Sequence, residues 1–592
     1  MLRSSAFLLA WLVSSGALAY DADPMLASLR PAERARAVSQ AGLGAPNALP
    51  LYDMTIDVAD DLRSFTMEEE AWVHNDSSAA WGSVVFRVFV NTTRADAVRL
   101  ESLSCEAVRC DHEQPDASAI VVSPAAPVPP GGWLRVRMRL RGTLQVVEAE
   151  RLTLMGQGLE SLGALSGGHG GGDYGLLAHG DGVSSFAAFA PVLARRRGGR
   201  WEQSDASTMG DLGTDALAHY RARIRVPDGT RVVATGVEDA PRVVGARTEV
   251  QVRLAMARDF AFVASPRLER RDAQVGEVTV RSWFLRGHEA SGGQALEAAT
   301  HALRVFERRF GPYPFTELDV VEAPLVGGAG GVEFSSMVTI ATMFYRPAGT
   351  GGALGALMGG GDQLEARRQA MLEFVTAHEV AHQWWHGVVG SDSRRHPFQD
   401  ETLAQWSALL YVRERHGAAR EQAEREQQVA AGYHMMRMMG RPDGAVDRPV
   451  SAFADPLSYG GLVYGKGPLV YPAMRRQVGN RAFFRAIREY ADAHRFRIAP
   501  PRALFDRFAR GRHASAARAL ERRWLDESHG DADLGEPSLP GLGGDAGELL
   551  RGLQGADEGQ LRRMLEGLMG GGGGGQAPDL RGLMDMLGGG SP

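Results

Sequence analysis

Cysteine, lysine and long apolar runs are all scarce in this sequence, and each scarcity excludes a class of protein. With only Cys105 and Cys110 among 592 residues, the chain lacks the thiols for a disulfide scaffold or a multi-cysteine metal centre. Lysine is rare and the formal net charge is −6, which argues against a broad basic surface for nucleic acid. Beyond residue 19 no stretch is long and apolar enough to cross a bilayer, so we expect no stable membrane insertion.

The first 19 residues have the pattern of a secretory signal peptide. Arg3 supplies the positive start, AFLLAWLV the short apolar core, and Ala17-Leu18-Ala19 a small-x-small cleavage site. The alternative is a membrane anchor, but the apolar run is short and interrupted. We therefore predict an extracytoplasmic protein, either periplasmic or secreted. In such an oxidising compartment a short disulfide between the two cysteines is favoured over a pair of free thiols.

The first half of the mature chain has the sequence pattern of β-structure. Residues 20–47 are short, polar and helix-prone, and we interpret them as an N-terminal extension. Residues 48–265 repeatedly alternate apolar and polar residues, as in SVVFRVFV and WLRVRMRLRG, with turn-forming residues between the runs. This pattern predicts an antiparallel β-sandwich-like domain. Residues 156–183 interrupt the pattern with a glycine-rich stretch that we interpret as a surface loop.

Helical patterns dominate residues 266–530, so the chain as a whole is predicted to be multidomain α+β. The segments with helical periodicity are 293–310, 362–388, 399–416, 465–478, 481–494 and 502–525. Residues 531–592 are rich in glycine, proline and aspartate, which indicates a disordered tail. The alternative for this tail is a tethered amphipathic element, because leucine and methionine recur in it at helical spacing.

The stretch TAHEVAHQWWHG at residues 376–387 carries the strongest chemical signal. On a helix, His378 and His382 project from one face, one turn apart. Neutral imidazole is a good zinc ligand, so the pair predicts a metal site. Glu379 lies one residue round from that face, where it can act on a water at the metal without being a ligand. The alternative is two ordinary histidines on a helix.

Glu401 is the candidate third ligand. Eighteen residues separate it from His382, and it stands at the start of another apolar-periodic helix. Zinc hydrolases keep three protein ligands and leave one position for water, and two histidines with one glutamate form a known catalytic set. Packing the two helices together would bring Glu401 to the imidazoles. His386 and His396 lie off this spacing, and we interpret them as a helix-end residue and a loop residue.

These residues resemble the zinc signature of the M1 family of metallopeptidases, the gluzincin aminopeptidases. Upstream, GGAGGVEF at 327–334 is similar to the family's Gly-x-Met-Glu-Asn exopeptidase motif, and FGPYPFTELDVVEAP precedes it as the family's approach to that strand does. Downstream, VYGKG at 463–467 is similar to the Tyr-x-Lys-Gly segment that bears the family's catalytic tyrosine. The motifs occur in the family's order, and the resemblance spans roughly residues 50–530.

The resemblance implies a thermolysin-like, mostly helical catalytic domain at residues 266–530. By the same resemblance, His378, His382 and Glu401 would hold one Zn²⁺ ion. Glu379 would be the general base, taking a proton from water and passing it to the leaving amine.

The remaining motifs imply how a peptide substrate is held. Tyr464 would donate a hydrogen bond to the tetrahedral oxyanion. Glu333 would bind the free α-amine of the substrate, which makes the protein an aminopeptidase. The backbone around Gly330 and Gly331 would align the peptide by β-pairing, because glycine permits close approach.

The sequence also departs from the family in three places. Its exopeptidase motif reads Gly-Gly-Val-Glu-Phe, without the family's methionine and asparagine. We find no match for the glutamine-containing segment with which the N-terminal domain usually helps to hold the amine. The long helical C-terminal domain of larger members is missing, which would leave the cleft less enclosed. Two alternatives therefore stay open: a zinc endopeptidase on the same scaffold, and a non-catalytic peptide-binding relative.

Overall fold

The computed structural model of this protein describes residues 20–165, 174–204, 207–347 and 361–535. The predicted signal peptide, the glycine-rich residues 166–173 and the tail beyond residue 535 lie outside the described residues. Among the residues that are described, no helix combines the length and the apolar character needed to cross a membrane.

Strands dominate the first half of the described chain. In chain order they are β1 (Leu51–Val58), β2 (Ser64–His74), β3 (Val84–Arg87), β4 (Val98–Cys105), β5 (Cys110–Asp116), β6 (Ala119–Pro124), β7 (Trp133–Thr143), β8 (Gln145–Val146), β9 (Leu177–Gly180), β10 (Val183–Phe186), β11 (Val192–Leu193), β12 (Arg196–Arg197), β13 (Arg200–Trp201), β14 (Ala218–Pro227), β15 (Arg231–Ala234), β16 (Val237–Glu238), β17 (Arg242–Val244), β18 (Arg247–Ala257) and β19 (Phe262–Ser265).

These strands form three main sheets in the described residues. The largest has the order β16-β18-β14-β1-β2-β7-β4, with β17 paired to β18. The second has the order β15-β19-β10-β9-β8, the third β11-β3-β6-β5, and β12 pairs with β13. Neighbours are antiparallel except for β1 with β14 and β8 with β9. The β-rich N-terminal half that the alternation predicted is therefore confirmed.

Alternating burial shows why β2 is a strand. Its buried positions include Phe65, Met67, Ala71 and Val73, while the residues between them are at least partly exposed. Glu69 occupies the remaining inward position and is only 2% exposed. One face of β2 therefore joins the core of the large sheet, and that face includes a carboxyl group.

The C-terminal half combines one five-stranded sheet with helices. The strands, β20 (Leu268–Val275), β21 (Val278–Leu285), β22 (Glu317–Ala323), β23 (Gly331–Phe334) and β24 (Met337–Ala341), lie in the order β20-β21-β22-β24-β23. A short parallel pair joins β25 (Val389–Gly390) to β26 (Arg497–Ile498). The boundary predicted near residue 265 falls between β19 and β20.

The helices of the described chain are mostly C-terminal, as predicted. They are α1 (Asp23–Leu26), α2 (Pro31–Ala41), α3 (Leu154–Leu165), α4 (Glu289–Phe310), α5 (Gly361–His382), α6 (Glu401–His416), α7 (Ala418–Glu424), α8 (Ala431–Met438), α9 (Pro456–Tyr459), α10 (Val470–Val478), α11 (Asn480–His494), α12 (Ala503–Phe508), α13 (Ala514–Leu525) and α14 (Gly530–Leu534). A β-rich unit followed by a mostly helical unit is the predicted fold class.

Residues 20–47 are better integrated than an extension would be. The side chains of Met25 and Leu29 are fully buried. Arg30 forms ion pairs with Glu277 and Glu307 of the C-terminal half. This segment therefore ties the two halves of the chain together.

Two of the expected elements differ in the structure. The stretch interpreted as a surface loop contains α3, β9 and β10, because the Gln157 side chain donates to the Arg151 carbonyl and accepts from the Gly328 amide. The predicted helix 362–388 ends at His382, because Trp385 and His386 leave helical backbone angles. Contacts with residues distant in the sequence determine both differences, and helical periodicity does not indicate such contacts.

Candidate metal site and substrate cavity

Two helices bring the predicted metal ligands together. His378 and His382 lie one turn apart on α5, and their Nε2 atoms are 3.1 Å from each other. Helix α6 packs against α5 and begins at Glu401, whose backbone amide is capped by the Asp400 side chain. The Oε2 atom of Glu401 lies 3.5 Å from His378 Nε2 and 3.4 Å from His382 Nε2. All three side chains are buried.

The three groups fit a zinc ion chemically. Glu401 Oε2 is buried and has no hydrogen-bond partner in the described part of the chain. His382 Nδ1 lies 3.1 Å from the Trp385 carbonyl, to which it donates its proton. That bond leaves the lone pair on Nε2, which faces the carboxylate. Two imidazoles and a carboxylate whose donor atoms converge in this way are the donor set that would hold a catalytic zinc ion.

A second group of possible ligands shares one of these residues. Glu333, Glu379 and His382 also place one donor atom each within 4.8 Å of one another. In that group the nearest nitrogen to Glu333 is His382 Nδ1, at 3.7 Å. Since Nδ1 already donates to a backbone carbonyl, it has no lone pair for a metal. The first group is therefore the better metal site, and Glu379 remains free for another role.

The pKa values of the two glutamates on these helices are shifted in opposite directions. Burial disfavours the charged form of Glu401, but the adjacent imidazoles of His378 and His382 outweigh it and hold its pKa well below the ordinary value. Burial raises the pKa of Glu379 well above its ordinary value, and the nearby charge of Glu333 adds to the shift. Glu401 is thus suited to be an anionic ligand and Glu379 to be a proton carrier.

A glycine makes room for Glu379. A Cβ atom on Gly331 would lie 2.5 Å from Glu379 Oε1, which no side chain tolerates. A Cβ on Gly330 would lie 3.4 Å from Phe344 and Val375, an ordinary close contact. Close approach of a peptide to Gly330 and Gly331 stays a prediction, and the structure adds that Gly331 leaves space for the carboxyl group of Glu379.

Glu333 stands on the edge strand β23, which pairs with β24 alone among the described strands. Its carboxylate lies 3.7 Å from His382, so the edge of the sheet passes directly beside the metal ligands. An edge strand presents unpaired backbone groups to which an extended peptide can add. The structure therefore places Glu333, the predicted amine-binding residue, on an edge strand beside His382.

Tyr464 lies next to the ligands in the irregular helical segment Gly460–Lys466. Its ring centroid is 6.1 Å from that of His378. Burial, followed by the charge of Glu401, raises its pKa well above the ordinary value, so the phenol keeps its proton. The neighbouring Lys466, the only lysine in the sequence, is fully buried and donates to Asp443 and two backbone carbonyls. This anchored lysine fixes the segment that presents the tyrosine.

A cavity of about 550 Å³ is lined by the three candidate metal ligands and by Glu333, Glu379 and Tyr464. Both halves of the chain line it, and its walls are largely apolar, with Phe344, Met371 and Val375 among them. It also includes two acidic residues that sequence reasoning missed, Asp211 and Asp259. Neither belongs to a motif, and only tertiary structure brings them to the site.

The remaining predicted residues near the site are not in the metal group. His386 lines the cavity and lies 3.2 Å from Asp259 Oδ2. Burial works against its charged form, but the bond to Asp259 and the charge of Glu333 raise its pKa to about 9. His396 pairs with Asp447 at 2.6 Å.

The two cysteines are bonded. Cys105 at the end of β4 and Cys110 at the start of β5 form a disulfide. The bond links the large sheet to the third sheet, away from the cavity-lining residues.

Comparison with known proteins agrees with this geometry. The model of the peptidase family M1 domain matches residues 294–524. Two rice proteins (Oryza sativa subsp. japonica) are similar: Aminopeptidase M1-A is 30% identical over 132 residues, and Aminopeptidase M1-B is 25% identical over 212 residues. These matches cover 22% and 36% of this chain but only 14% and 23% of the rice proteins.

Solved structures share the fold over a larger part of the chain. An M1 zinc metallopeptidase from Deinococcus radiodurans, in a mutant form, matches with a TM-score of 0.55 and 17% identity, covering 83% of this chain and 95% of its own. The same mutant bound to a Tyr-Ser-Ala substrate matches with a TM-score of 0.56, at the same identity and coverage. Residues 294–524 therefore match the domain of peptidase family M1, and the chain shares its fold with zinc metallopeptidases of that family.

Proposed function

We propose that the protein is an exported, zinc-dependent aminopeptidase that removes N-terminal residues from peptides. The observation that carries this proposal is the position of Glu333, 3.7 Å from the candidate ligand His382 in the lining of the cavity. A peptide whose free ammonium pairs with Glu333 has its first peptide bond close to the metal ligands. The names of the rice relatives, both aminopeptidases, support the same specificity.

Zn²⁺ would be held by His378, His382 and Glu401. When bound, the ion supplies Lewis acidity toward the scissile carbonyl and lowers the pKa of water. The protein's contribution is to fix three buried donors on two packed helices.

Glu379 would move the proton. Its raised pKa makes its carboxyl group a base that can take a proton from water and then give it to the leaving amine. The space beside Gly331 gives that carboxyl group one defined position. Such positioning matters because a general base works only within hydrogen-bond reach of the proton.

Tyr464 would stabilise the oxyanion. Its protonated phenol can donate a hydrogen bond where negative charge develops on the carbonyl oxygen. The buried Lys466 holds the segment in place, so the donor is positioned before the substrate arrives.

The experiment that tests this function compares a peptide with its N-acetylated twin. We expect turnover of the free peptide, release of its first residue, and little turnover of the acetylated peptide. Equal rates on both would identify an endopeptidase, the function that the altered GGVEF motif favours. Absence of turnover at full zinc occupancy would identify a non-catalytic relative. The Glu379→Gln variant serves as the baseline without catalysis.

Export rests on the signal-like residues 1–19 and is supported by the disulfide between Cys105 and Cys110. The test is N-terminal sequencing of the protein recovered from separated cell fractions and from the medium. We expect a mature chain that starts at Tyr20 outside the cytoplasm. A cytoplasmic chain that keeps its first 19 residues would contradict the proposal.

A further inference from the structure

Asp443 is a buried carboxylate that joins separate segments of the C-terminal half without lining the cavity. Its side chain is only 8% exposed. One oxygen, Oδ1, accepts from Lys466 Nζ at 3.0 Å and from the adjacent Gly444 amide at 2.8 Å. The other, Oδ2, accepts from the Gly530 amide at 2.7 Å, at the start of α14. Asp443 therefore links the lysine of the Gly460–Lys466 segment to the C-terminal end of the described chain.

The ammonium group of Lys466 has its hydrogen-bond partners in these same segments. Besides Asp443, its Nζ atom donates to the Gly444 carbonyl at 3.0 Å and to the Glu527 carbonyl at 2.7 Å. Three partners satisfy the three N–H donors of an ammonium group. Burial lowers the pKa of Lys466, and the bond to Asp443 opposes that shift. Since the other two partners are neutral carbonyls, the buried charge of Lys466 depends on Asp443.

Close packing connects the position of this lysine to that of Tyr464. Only Gly465 separates the two residues, and a Cβ atom on it would lie 2.6 Å from the backbone nitrogen of Tyr433 on α8. The Tyr433 hydroxyl donates to Asp531 Oδ1 at 2.7 Å, so the stretch of chain that holds Lys466 also holds α8. Close-packed interiors transmit a displacement to their neighbours, and a shift at Lys466 therefore moves Tyr464 as well.

A shift of Tyr464 matters because its proposed hydrogen bond to the oxyanion acts over a short range. Misplacing a catalytic group by about 1 Å lowers rates about 10²-fold. We propose that Asp443 is a positioning residue, which sets the place of the Tyr464 hydroxyl by tying Lys466 to residues 527–531. This inference rests on the proposed role of Tyr464 as the oxyanion donor and extends that role to the C-terminal end of the described chain.

The test is a double-mutant cycle with Tyr464→Phe that measures kcat, KM, zinc content and unfolding temperature. Asp443→Asn keeps the size of the side chain but removes its charge. In the wild-type chain this change should lower kcat about tenfold or more, with little change in KM or zinc content. In the Tyr464→Phe background it should lower kcat less than about twofold, because no hydroxyl remains to be misplaced.

A second variant covers the case in which Asp443→Asn leaves the buried lysine unpaired and the protein does not fold. Asp443→Asn combined with Lys466→Met removes both charges, which buried sites tolerate better than one unpaired charge. This variant should show the same dependence of its kcat loss on Tyr464. Asp447→Asn is the matched control, since the Asp447 side chain is also 8% exposed but pairs with Arg502. The control should not lower kcat in either background.

The outcomes separate this inference from the function on which it rests. A wild-type protein without turnover, or a Tyr464→Phe variant with wild-type kcat, would refute the proposed role of the tyrosine and this inference with it. A clear loss of kcat in Tyr464→Phe together with unchanged kcat in Asp443→Asn would overturn the inference alone. Equal losses of kcat in both backgrounds, or loss of zinc or of the folded state in both Asp443 variants, would show a structural role and also overturn it.

Discussion

The metal site and the inner face of the large sheet each bury a glutamate, but the two environments shift the pKa of the glutamate in opposite directions. Glu401 lies within 3.5 Å of two imidazole nitrogens, and its pKa is held well below the ordinary value. Glu69 on β2 lies among core residues, and neither of its oxygens has a hydrogen-bond partner in the described part of the chain. Burial raises its pKa well above the ordinary value.

The difference shows that burial of an acid does not by itself mark a functional site. At Glu401, several donor atoms converge on one point, and their charges keep the carboxylate ionised. At Glu69 no partner converges, so the carboxyl group takes up a proton and remains an isolated polar group in the core. Convergence of partners is thus the feature that distinguishes the metal site, and substitutions at the two places should differ accordingly.

Removing the metal-site carboxylate should have the largest effect. Glu401→Ala leaves two ligands, and three protein ligands are the usual minimum for a catalytic zinc site. We expect metal analysis after dialysis to fall from about one zinc per chain to near zero, with loss of peptidase activity. Full zinc content in this variant would show that Glu401 is not a ligand.

Changing the neighbouring base should separate chemistry from metal binding. Glu379→Gln keeps the shape of the side chain but removes its ability to accept a proton. We expect zinc content to stay at the wild-type level while kcat falls about 10²–10⁴-fold, the usual contribution of a general base. The base assignment fails if kcat is retained.

The tyrosine should contribute somewhat less. Tyr464→Phe removes one hydroxyl and leaves the ring packed beside His378. Loss of one oxyanion donor typically lowers kcat about 10²–10³-fold. Steady-state kinetics should show this decrease with little change in KM, and an unchanged kcat would exclude the role.

The amine-binding carboxylate should affect recognition more than chemistry. Under the proposed function, Glu333→Ala would remove a charge-assisted contact to the substrate, and such a loss typically changes affinity about 10–100-fold. We expect KM for free peptides to rise by that factor and zinc content to remain. The preference for free over acetylated peptides should shrink, and a variant that keeps the whole preference would contradict the assignment.

The isolated carboxyl group of the sheet should affect stability alone. Because the folded-state pKa of Glu69 is raised, its contribution to stability is complete below the unfolded pKa of about 4.3 and is lost as pH rises through the folded pKa. Glu69→Gln removes that loss, so its urea midpoint should exceed that of the wild type at pH 9 and equal it at pH 4. The kcat/KM of this variant should not change. A lowered kcat/KM would contradict the conclusion that Glu69, unlike the metal site, has no role in activity.

The proximity of the two candidate histidine ligands could be predicted from the sequence because helix geometry fixes it. Residues four apart on a helix share a face, so His378 and His382 needed no tertiary information. Alternation of apolar and polar residues in the N-terminal half predicted the β-rich unit, because alternate residues of a strand share one face. Glu401 was predicted from its spacing after His382, whereas Glu333 was predicted only from the resemblance of GGVEF to the family's exopeptidase motif.

Features made by tertiary contacts were not predicted. Asp211 reaches the cavity through a loop held by Arg394, 183 residues away along the chain. Helix α3 forms in a glycine-containing segment where Gln157 bonds to both neighbouring segments. The loop has no periodic signature, and the glycines of α3 obscure the helical spacing of Met155, Leu159 and Leu162.

The central claim is that one zinc ion lies between His378, His382 and Glu401, and anomalous diffraction at the zinc edge tests it most directly. We predict a single peak per chain at coordination distance from His378 Nε2, His382 Nε2 and the Glu401 carboxylate. A peak between Glu333, Glu379 and His382, or no peak in protein that is enzymatically active, would contradict this account.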